Sequence, residues 1–138
     1  MIREFTCHGL LNISLSVSLA VLAGTAVSIQ AADGSARTLT VKLGDYRYTP
    51  ARLEVTAGTP VTLKLSNIDG VTPHNFTLKN ADAGLDLDVN IMAGETKEIK
   101  FTPVTQGSYT FYCNKKLPFM KSHRDHGMEG TLVVNPPQ

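Results

Sequence analysis

The sequence contains little cysteine: only two of its 138 residues are cysteines, Cys7 and Cys113. It also lacks an excess of charge of either sign, since 13 Lys and Arg stand against 12 Asp and Glu. This balance gives no support to a nucleic-acid-binding protein, which needs a basic surface. The chain has no internal repeat and no low-complexity tract, and its length predicts a single domain.

The longest apolar stretch, residues 10–27, lies near the N-terminus. Arg3 precedes this stretch, and a small-residue pattern ending at Ala31 follows it. This order predicts a secretory signal peptide over residues 1–31 and a mature domain over residues 32–138. An uncleaved membrane anchor is the alternative, and the serines within the stretch disfavour it. We therefore expect a periplasmic protein without stable membrane insertion.

Removal of the signal peptide would leave Cys113 as the only cysteine. Cysteines in an oxidising compartment are usually paired in disulfides. A lone thiol there is free to dimerise, is reactive, or is occupied by a ligand. Coordination to a metal ion would hold the sulfur as a shielded thiolate, so the unpaired cysteine makes its neighbours in the chain candidates for metal ligands.

Short β-rich runs separated by turn residues fill the chain after residue 35, and no long stretch shows helical periodicity. In one run, Val61, Leu63 and Leu65 alternate with polar residues, as expected of a half-buried strand. Strands are predicted at residues 38–43, 52–56, 60–66, 74–79, 87–92, 96–101, 108–113 and 130–134, with a loop or helical turn at 80–86. About eight strands at this spacing predict an all-β protein, an antiparallel Greek-key β-sandwich or barrel.

Soft donor atoms are concentrated near the C-terminus. Cys113 ends a predicted strand, and a loop carrying His123, His126 and Met128 follows it. A fifth donor, His74, begins a strand elsewhere in the chain. Two imidazoles and a thiolate in a trigonal plane, with a weak axial thioether, form an electron-transfer copper site. The sequence therefore predicts one copper ion per chain, held by one distant histidine and by cysteine, histidine and methionine of the C-terminal loop.

Other functions use part of the same inventory. Cys113 with a neighbouring histidine could form a nucleophilic pair, but no oxyanion-binding arrangement accompanies it. Two histidines and a cysteine could bind catalytic zinc, but a thioether is a poor zinc ligand. A binuclear copper site would need a second cysteine in the loop, and the loop contains none. A copper chaperone or storage module, binding Cu(I) without redox cycling, stays open as the alternative to an electron carrier.

Four segments, taken in order, resemble the cupredoxins, the plastocyanin and azurin type of blue-copper protein. These segments are Tyr48-Thr-Pro50 with residues 53–61, Ser66-Asn67 with Pro73-His74-Asn75-Phe76, residues 92–96, and Tyr112-Cys113 through His123 to Gly127-Met128-Glu-Gly130-Thr-Leu-Val. The resemblance covers nearly the whole of residues 32–138. It implies a cupredoxin fold and a type 1 copper protein that is not an enzyme and carries single electrons between redox partners.

The resemblance also assigns roles to particular residues. The family's usual spacing between this histidine and the axial methionine implies that His123, rather than His126, joins Met128 as a ligand. Asn75, which follows the first ligand, is implied to link the two ligand-bearing segments by hydrogen bonds near the thiolate. The chain departs from the family in one place, because the nine residues 114–122 form a longer loop after Cys113 than is usual.

This long loop and the residue after His123 carry a basic cluster. The cluster consists of Lys115, Lys116, Lys121 and Arg124. We expect it to attract an acidic redox protein, such as a c-type cytochrome or an oxidase subunit, through electrostatic steering. Residues 117–120 (LPFM) supply an apolar patch through which an electron could leave. An ordinary solvated loop is the alternative, and the protein is expected to be a monomer.

Overall fold

A computed structural model describes residues 36–137, and these residues are almost entirely β-structure. The strands are β1 (Arg37–Gly44), β2 (Arg47–Thr49), β3 (Arg52–Thr56), β4 (Val61–Asn67), β5 (His74–Asn80), β6 (Leu85–Ile91), β7 (Thr96–Phe101), β8 (Gly107–Tyr112) and β9 (Glu129–Asn135). Two single-turn 3₁₀ helices, Ala81–Ala83 and Arg124–His126, complete the regular structure of this part of the chain. None of its helices has the length and apolar character needed to cross a bilayer.

The strands form two sheets, one in the order β2-β1-β4-β7 and the other in the order β3-β9-β8-β5-β6. The chain passes from one sheet to the other several times, and the apolar faces of the two sheets enclose one core. The predicted all-β sandwich is therefore confirmed. The predicted signal peptide, residues 1–31, lies outside the described residues.

The expectation of purely antiparallel pairing is wrong for two strand pairs. β1 pairs with β4 in parallel, with Val41 opposite Leu65, and β3 pairs with β9 in parallel, with Val55 opposite Val134. In both cases the chain visits the opposite sheet between the paired strands, so a tight hairpin does not set their direction. Local periodicity reports which face of a strand is buried, but it carries no information on the direction of the neighbouring strand.

Strand β2 was absent from the sequence prediction because it has only three residues and one buried side chain, Tyr48.

The segment 80–86, predicted as a loop or helical turn, contains the 3₁₀ helix Ala81–Ala83. Asn80 Oδ1 accepts a hydrogen bond from the Ala83 N–H at its start, and Gly84 ends it with a φ of 71°. Glycine adopts such a positive φ without the steric cost that other residues incur.

An aromatic group packs between the sheets, close to the end where the predicted ligands lie. The Phe111 ring stacks on Phe76 at 4.8 Å between centroids and meets Tyr48 edge-on at 5.0 Å. Gly130 lies opposite Phe111 in the β8–β9 pair. A Cβ atom at Gly130 would collide with the Phe111 ring and with the Ala51 carbonyl. This glycine therefore allows the ring to approach the backbone of strand β9 closely.

The sandwich brings the two ligand-bearing strands together. β5 begins at His74 and pairs with β8, with Thr77 opposite Tyr112. The Tyr48 hydroxyl donates a buried hydrogen bond of 2.6 Å to the Asn75 carbonyl, and burial raises the pKa of Tyr48. The sequence predicted that Cys113 ends a strand. Strand β8 in fact ends at Tyr112, so Cys113 is the first residue beyond it.

Candidate metal centre

Three of the predicted ligands converge in one buried cluster. His74 Nδ1 lies 3.1 Å from His123 Nδ1, and Cys113 Sγ lies 3.4 Å from His123 Nδ1 and 4.0 Å from His74 Nδ1. His74 and Cys113 are fully buried, and His123 is 8% exposed. Among the described residues, this is the group of histidine, cysteine and acidic side chains whose donor atoms are close enough to share a metal ion.

Backbone hydrogen bonds close the long loop so that His123 returns to Cys113. The His123 N–H donates to the Lys115 carbonyl at 2.8 Å. The Met128 N–H donates to the His123 carbonyl at 3.0 Å, and the Cys113 N–H donates to the Met128 carbonyl at 3.0 Å. Met128 is fully buried, and its backbone is hydrogen-bonded to both His123 and Cys113. A loop longer than the family's usual one therefore still ends with its donor residues side by side.

His126 lies outside the buried cluster. It is exposed, in the 3₁₀ helix Arg124–His126, and its N–H donates to the carbonyls of Ser122 and His123. Its ring lies beside Tyr46, with 4.8 Å between centroids and 31° between the ring planes. The structure thus brings His123, and not His126, to the sulfur.

Burial disfavours the charged forms of two of the donor side chains, Cys113 and His123. Burial raises the pKa of the Cys113 thiol, and hydrogen bonds from the Asn75 and Lys115 backbone offset this only in part. Burial, together with the neighbouring rings of His74 and His126, lowers the pKa of His123. Metal ligands must be deprotonated, so the lowered pKa of His123 favours its metal-binding form, whereas the Cys113 thiol has to lose its proton when a cation enters.

Asn75 connects the two segments that carry the donors. Its backbone N–H points at Cys113 Sγ at 3.4 Å, and its side-chain oxygen accepts the Asn114 N–H at 2.9 Å. Its side-chain amide donates to Asp88, Thr77 and Asn114. These bonds attach the residue after His74 to the residue after Cys113, and such contacts orient ligands in metal sites.

The sequence analysis missed two residues at this site, Asp69 and Tyr46. Asp69 Oδ2 lies 2.7 Å from His74 Nε2. The Tyr46 ring meets His123 edge-on at 4.9 Å, and it sits in a tight turn where both Asp45 and Tyr46 have positive φ values, 49° and 54°. In the sequence, Asp69-Gly70 is a pair typical of a turn, and the place of Asp69 five residues before a candidate ligand is the one signal that points to the site.

The basic cluster is divided by the structure. Lys115 and Lys116 line a cleft of about 330 Å³ that opens on His123 and Tyr46, and Lys121 lines a smaller one next to it. Arg124 is partly neutralised, because it pairs with Glu129 at 3.0 Å and covers the Tyr112 ring at 4.3 Å. The three lysines therefore carry most of the unpaired positive charge of this cluster.

The donor set fits a copper ion. Two imidazole nitrogens 3.1 Å apart need a proton or a cation between them, because two facing lone pairs repel. Two nitrogens and one sulfur, in a buried pocket on a stiff β-scaffold, form the trigonal set typical of electron-transfer copper sites. Residues 15–134 of the chain match the family model of the cupredoxin-like domain.

The chain belongs to the cupredoxin-like family. The predicted family is therefore confirmed. The match begins inside the segment predicted as a signal peptide, so the boundary after Ala31 stays a prediction. Family membership, together with the two-nitrogen, one-sulfur cluster, confirms copper as the cofactor of this cupredoxin and supports a role in copper-based electron transfer.

Several known proteins are similar to this cupredoxin. Plastocyanin of Prochlorothrix hollandica is 29% identical over 126 residues, which are 86% of this chain and 88% of that protein. Auracyanin A of Chloroflexus aurantiacus, described as a "blue" copper protein, is 26% identical with a TM-score of 0.59. The match covers 72% of this chain and 99% of auracyanin A.

An enzyme also shares the fold. The copper-containing nitrite reductase of Thermus scotoductus is 23% identical, with a TM-score of 0.55, over 75% of this chain and 28% of the reductase. At this identity the likeness extends to the fold alone. The cupredoxin fold thus occurs both in small copper proteins and as part of a much larger enzyme.

Proposed function

We propose that this cupredoxin is a periplasmic carrier of single electrons, not an enzyme, with one copper ion held by His74, Cys113, His123 and Met128. The convergence of three soft donor atoms within 4.0 Å, fully or almost fully buried, is the observation that carries the proposal. When bound, copper supplies one-electron chemistry between Cu(II) and Cu(I). The plastocyanin relative and the "blue" copper neighbour support the same role.

The protein's part is to hold its donors still. Strand β5 fixes His74, and the next residue, Asn75, is hydrogen-bonded to Cys113 and Asn114 in the segment that carries the sulfur. Backbone bonds through Met128 fix His123 against Cys113. Ligands mounted on rigid elements keep their geometry, so little needs to move when an electron arrives. His123, 8% exposed beside the cleft, is the donor nearest to solvent and therefore the exit for the electron.

We infer that the partner is an acidic redox protein, such as a c-type cytochrome or an oxidase subunit, and that this chain meets it as a monomer. Apolar side chains surround the His123 cleft, with Val71 88% exposed and Leu117 62% exposed. Lys115 and Lys116 line the same cleft. A mostly apolar contact with a basic border suits a short-lived encounter, in which charge raises the association rate more than the affinity.

The two loop histidines provide a direct test of the ligand set. We expect His123→Ala to alter the visible charge-transfer band and the EPR spectrum of the Cu(II)-loaded protein, because it removes a donor 3.4 Å from Sγ. His126→Ala is the matched control, since it removes an exposed imidazole three residues away. We expect it to leave both spectra largely unchanged.

A larger spectral change in His126→Ala than in His123→Ala would refute the ligand set. Voltammetry of the copper-loaded wild type tests the function separately. A reversible one-electron wave is expected of a carrier, whereas a site that holds copper only as Cu(I) would indicate the alternative, a chaperone or storage module.

The lysines next to the cleft should control encounter with the partner. We expect the triple variant Lys115→Gln, Lys116→Gln, Lys121→Gln to slow electron transfer with an acidic redox protein about tenfold at low salt. Salt should remove the difference, because exposed charges are screened beyond about 10 Å at 0.1 M ionic strength. Stopped-flow absorbance at several salt concentrations measures the rate. Arg124→Gln alone should have a smaller effect, because Glu129 already pairs with Arg124.

A second triple variant, Lys42→Gln, Lys64→Gln, Lys100→Gln, is the control. These lysines are exposed on β1, β4 and β7, which belong to the sheet that does not contain the ligand-bearing strands β5 and β8. Their loss changes the net charge by the same amount. Equal slowing in the two triple variants would show that total charge, and not a docking face, governs the encounter.

A further inference from the structure

Asp69 contacts one of the proposed copper ligands on the side away from the metal cluster. Its Oδ2 lies 2.7 Å from Nε2 of the buried His74 ring, and its Oδ1 accepts the Asp45 N–H at 3.2 Å. The Asp69 side chain is 20% exposed. Asp69 lies in the turn between β4 and β5, outside the segments that the family resemblance assigned to the copper site.

The contact determines which nitrogen of His74 carries the proton. A carboxylate only accepts hydrogen bonds, and a neutral imidazole has a single N–H. The proton must therefore sit on Nε2, and the Nδ1 lone pair faces the cluster, 3.1 Å from His123 Nδ1 and 4.0 Å from Cys113 Sγ. In the opposite tautomer, an N–H would occupy the space in which a metal ion has to bind.

Asp69 is itself held in place. Its N–H donates to Asn67 Oδ1 at 3.0 Å. The Asn67 side-chain amide, which is buried, donates to the carbonyls of Thr72 and Ile91. Asp69 is thus connected through Asn67 to Thr72, near the far end of the turn that leads into β5, and to Ile91 at the end of β6. A partner supported in this way can fix the orientation of a ligand ring.

We propose that Asp69 is a positioning residue of the copper site. Its carboxylate keeps His74 in the Nε2–H tautomer, which presents the Nδ1 lone pair to the metal, and its negative charge favours Cu(II) over Cu(I). The part that concerns copper rests on the proposed function, whereas the tautomer is a property of the metal-free protein.

Asp69→Asn and Asp69→Ala separate the hydrogen bond from the charge. The asparagine side-chain oxygen can still accept from Nε2–H, but it carries no charge, whereas alanine removes both. Asp45→Asn is the matched control, because it removes a neighbouring exposed carboxylate for which the structure shows no contact with His74, at a positive-φ position that asparagine tolerates. Two-dimensional NMR of the imidazole ¹⁵N nuclei, recorded on metal-free protein at about pH 8, where imidazoles are neutral, identifies the tautomer.

We expect wild type, Asp69→Asn and Asp45→Asn to show His74 as the Nε2–H tautomer, and Asp69→Ala to show a mixture. Cu(II) affinity should fall about 10- to 100-fold in Asp69→Ala, as for other lost outer partners of metal ligands. In Asp69→Asn, Cu(II) binding should weaken about tenfold relative to Cu(I). That ratio corresponds to a rise of about 59 mV in the reduction potential.

Amide spectra that retain the wild-type pattern establish that each variant is folded, and Asp69→Asn keeps the test valid if Asp69→Ala does not fold. The proposal is overturned if His74 in wild type is not the Nε2–H tautomer. It is also overturned if Asp45→Asn raises the potential as much as Asp69→Asn. A wild type that shows the predicted tautomer but no reversible copper reduction would instead overturn the proposed function.

Discussion

Replacing Cys113 with alanine is expected to abolish the intense sulfur-to-copper absorption of the Cu(II)-loaded protein. Cys113 is the one sulfur in the buried cluster that can become a thiolate. Loss of a direct ligand should weaken copper binding by more than the roughly 100-fold that loss of an outer partner causes. Absorption spectra, EPR and a competition titration with a copper chelator measure these effects.

The substitution should not unfold the metal-free protein. Cys113 lies just beyond strand β8, and alanine retains its backbone N–H, which donates to Met128. A circular dichroism spectrum like that of wild type would show that lost copper binding reflects the missing sulfur. Persistence of the charge-transfer band in Cys113→Ala would mean that copper does not bind through this sulfur, and the proposed ligand set would then be wrong.

Replacing Phe111 with alanine is expected to cause the largest loss of stability from a single substitution, about 3–5 kcal/mol in the free energy of unfolding. Phe111 is fully buried, and it packs against Phe76 and Tyr48. Gly130 cannot fill the resulting cavity, because it has no side chain. Denaturant titration of the metal-free protein measures the change without a contribution from copper binding.

Phe119→Ala is the matched control, since Phe119 lies fully exposed in the long loop. It removes the same number of atoms and should change the free energy of unfolding by less than about 0.5 kcal/mol. A loss for Phe111→Ala that is no larger than the loss for Phe119→Ala would contradict the core packing described above.

The alternation of apolar and polar residues was a sufficient guide to most strands. The alternating residues Val61, Leu63 and Leu65 line one face of β4, and strands β3 and β7 have the predicted bounds. Strand β2 escaped detection because three residues do not establish a period. The parallel pairing of β1 with β4 escaped because it depends on where the chain goes between the two strands.

The candidate site shows the same division. The donor inventory and its order were visible in the chain, because copper sites draw on few residue types. The contact between Asp69 and His74 was not visible, because a turn aspartate looks the same whether its side chain faces solvent or a ring. The pairing of Arg124 with Glu129, and its position over Tyr112, likewise depends on side-chain placement.

The amino-acid sequence by itself determined the β-rich character of this protein, the family it resembles and the set of donors near its C-terminus. The tertiary structure placed His123 beside Cys113 and His126 outside the cluster, as the family resemblance had implied. Only the tertiary structure showed that Asp69 contacts His74 and which lysines border the cleft. The reason is physical: residue type and local spacing specify which segments form strands and which side chains can act as metal donors. Distances between segments 39 or 49 residues apart follow only from the packing of the whole sandwich.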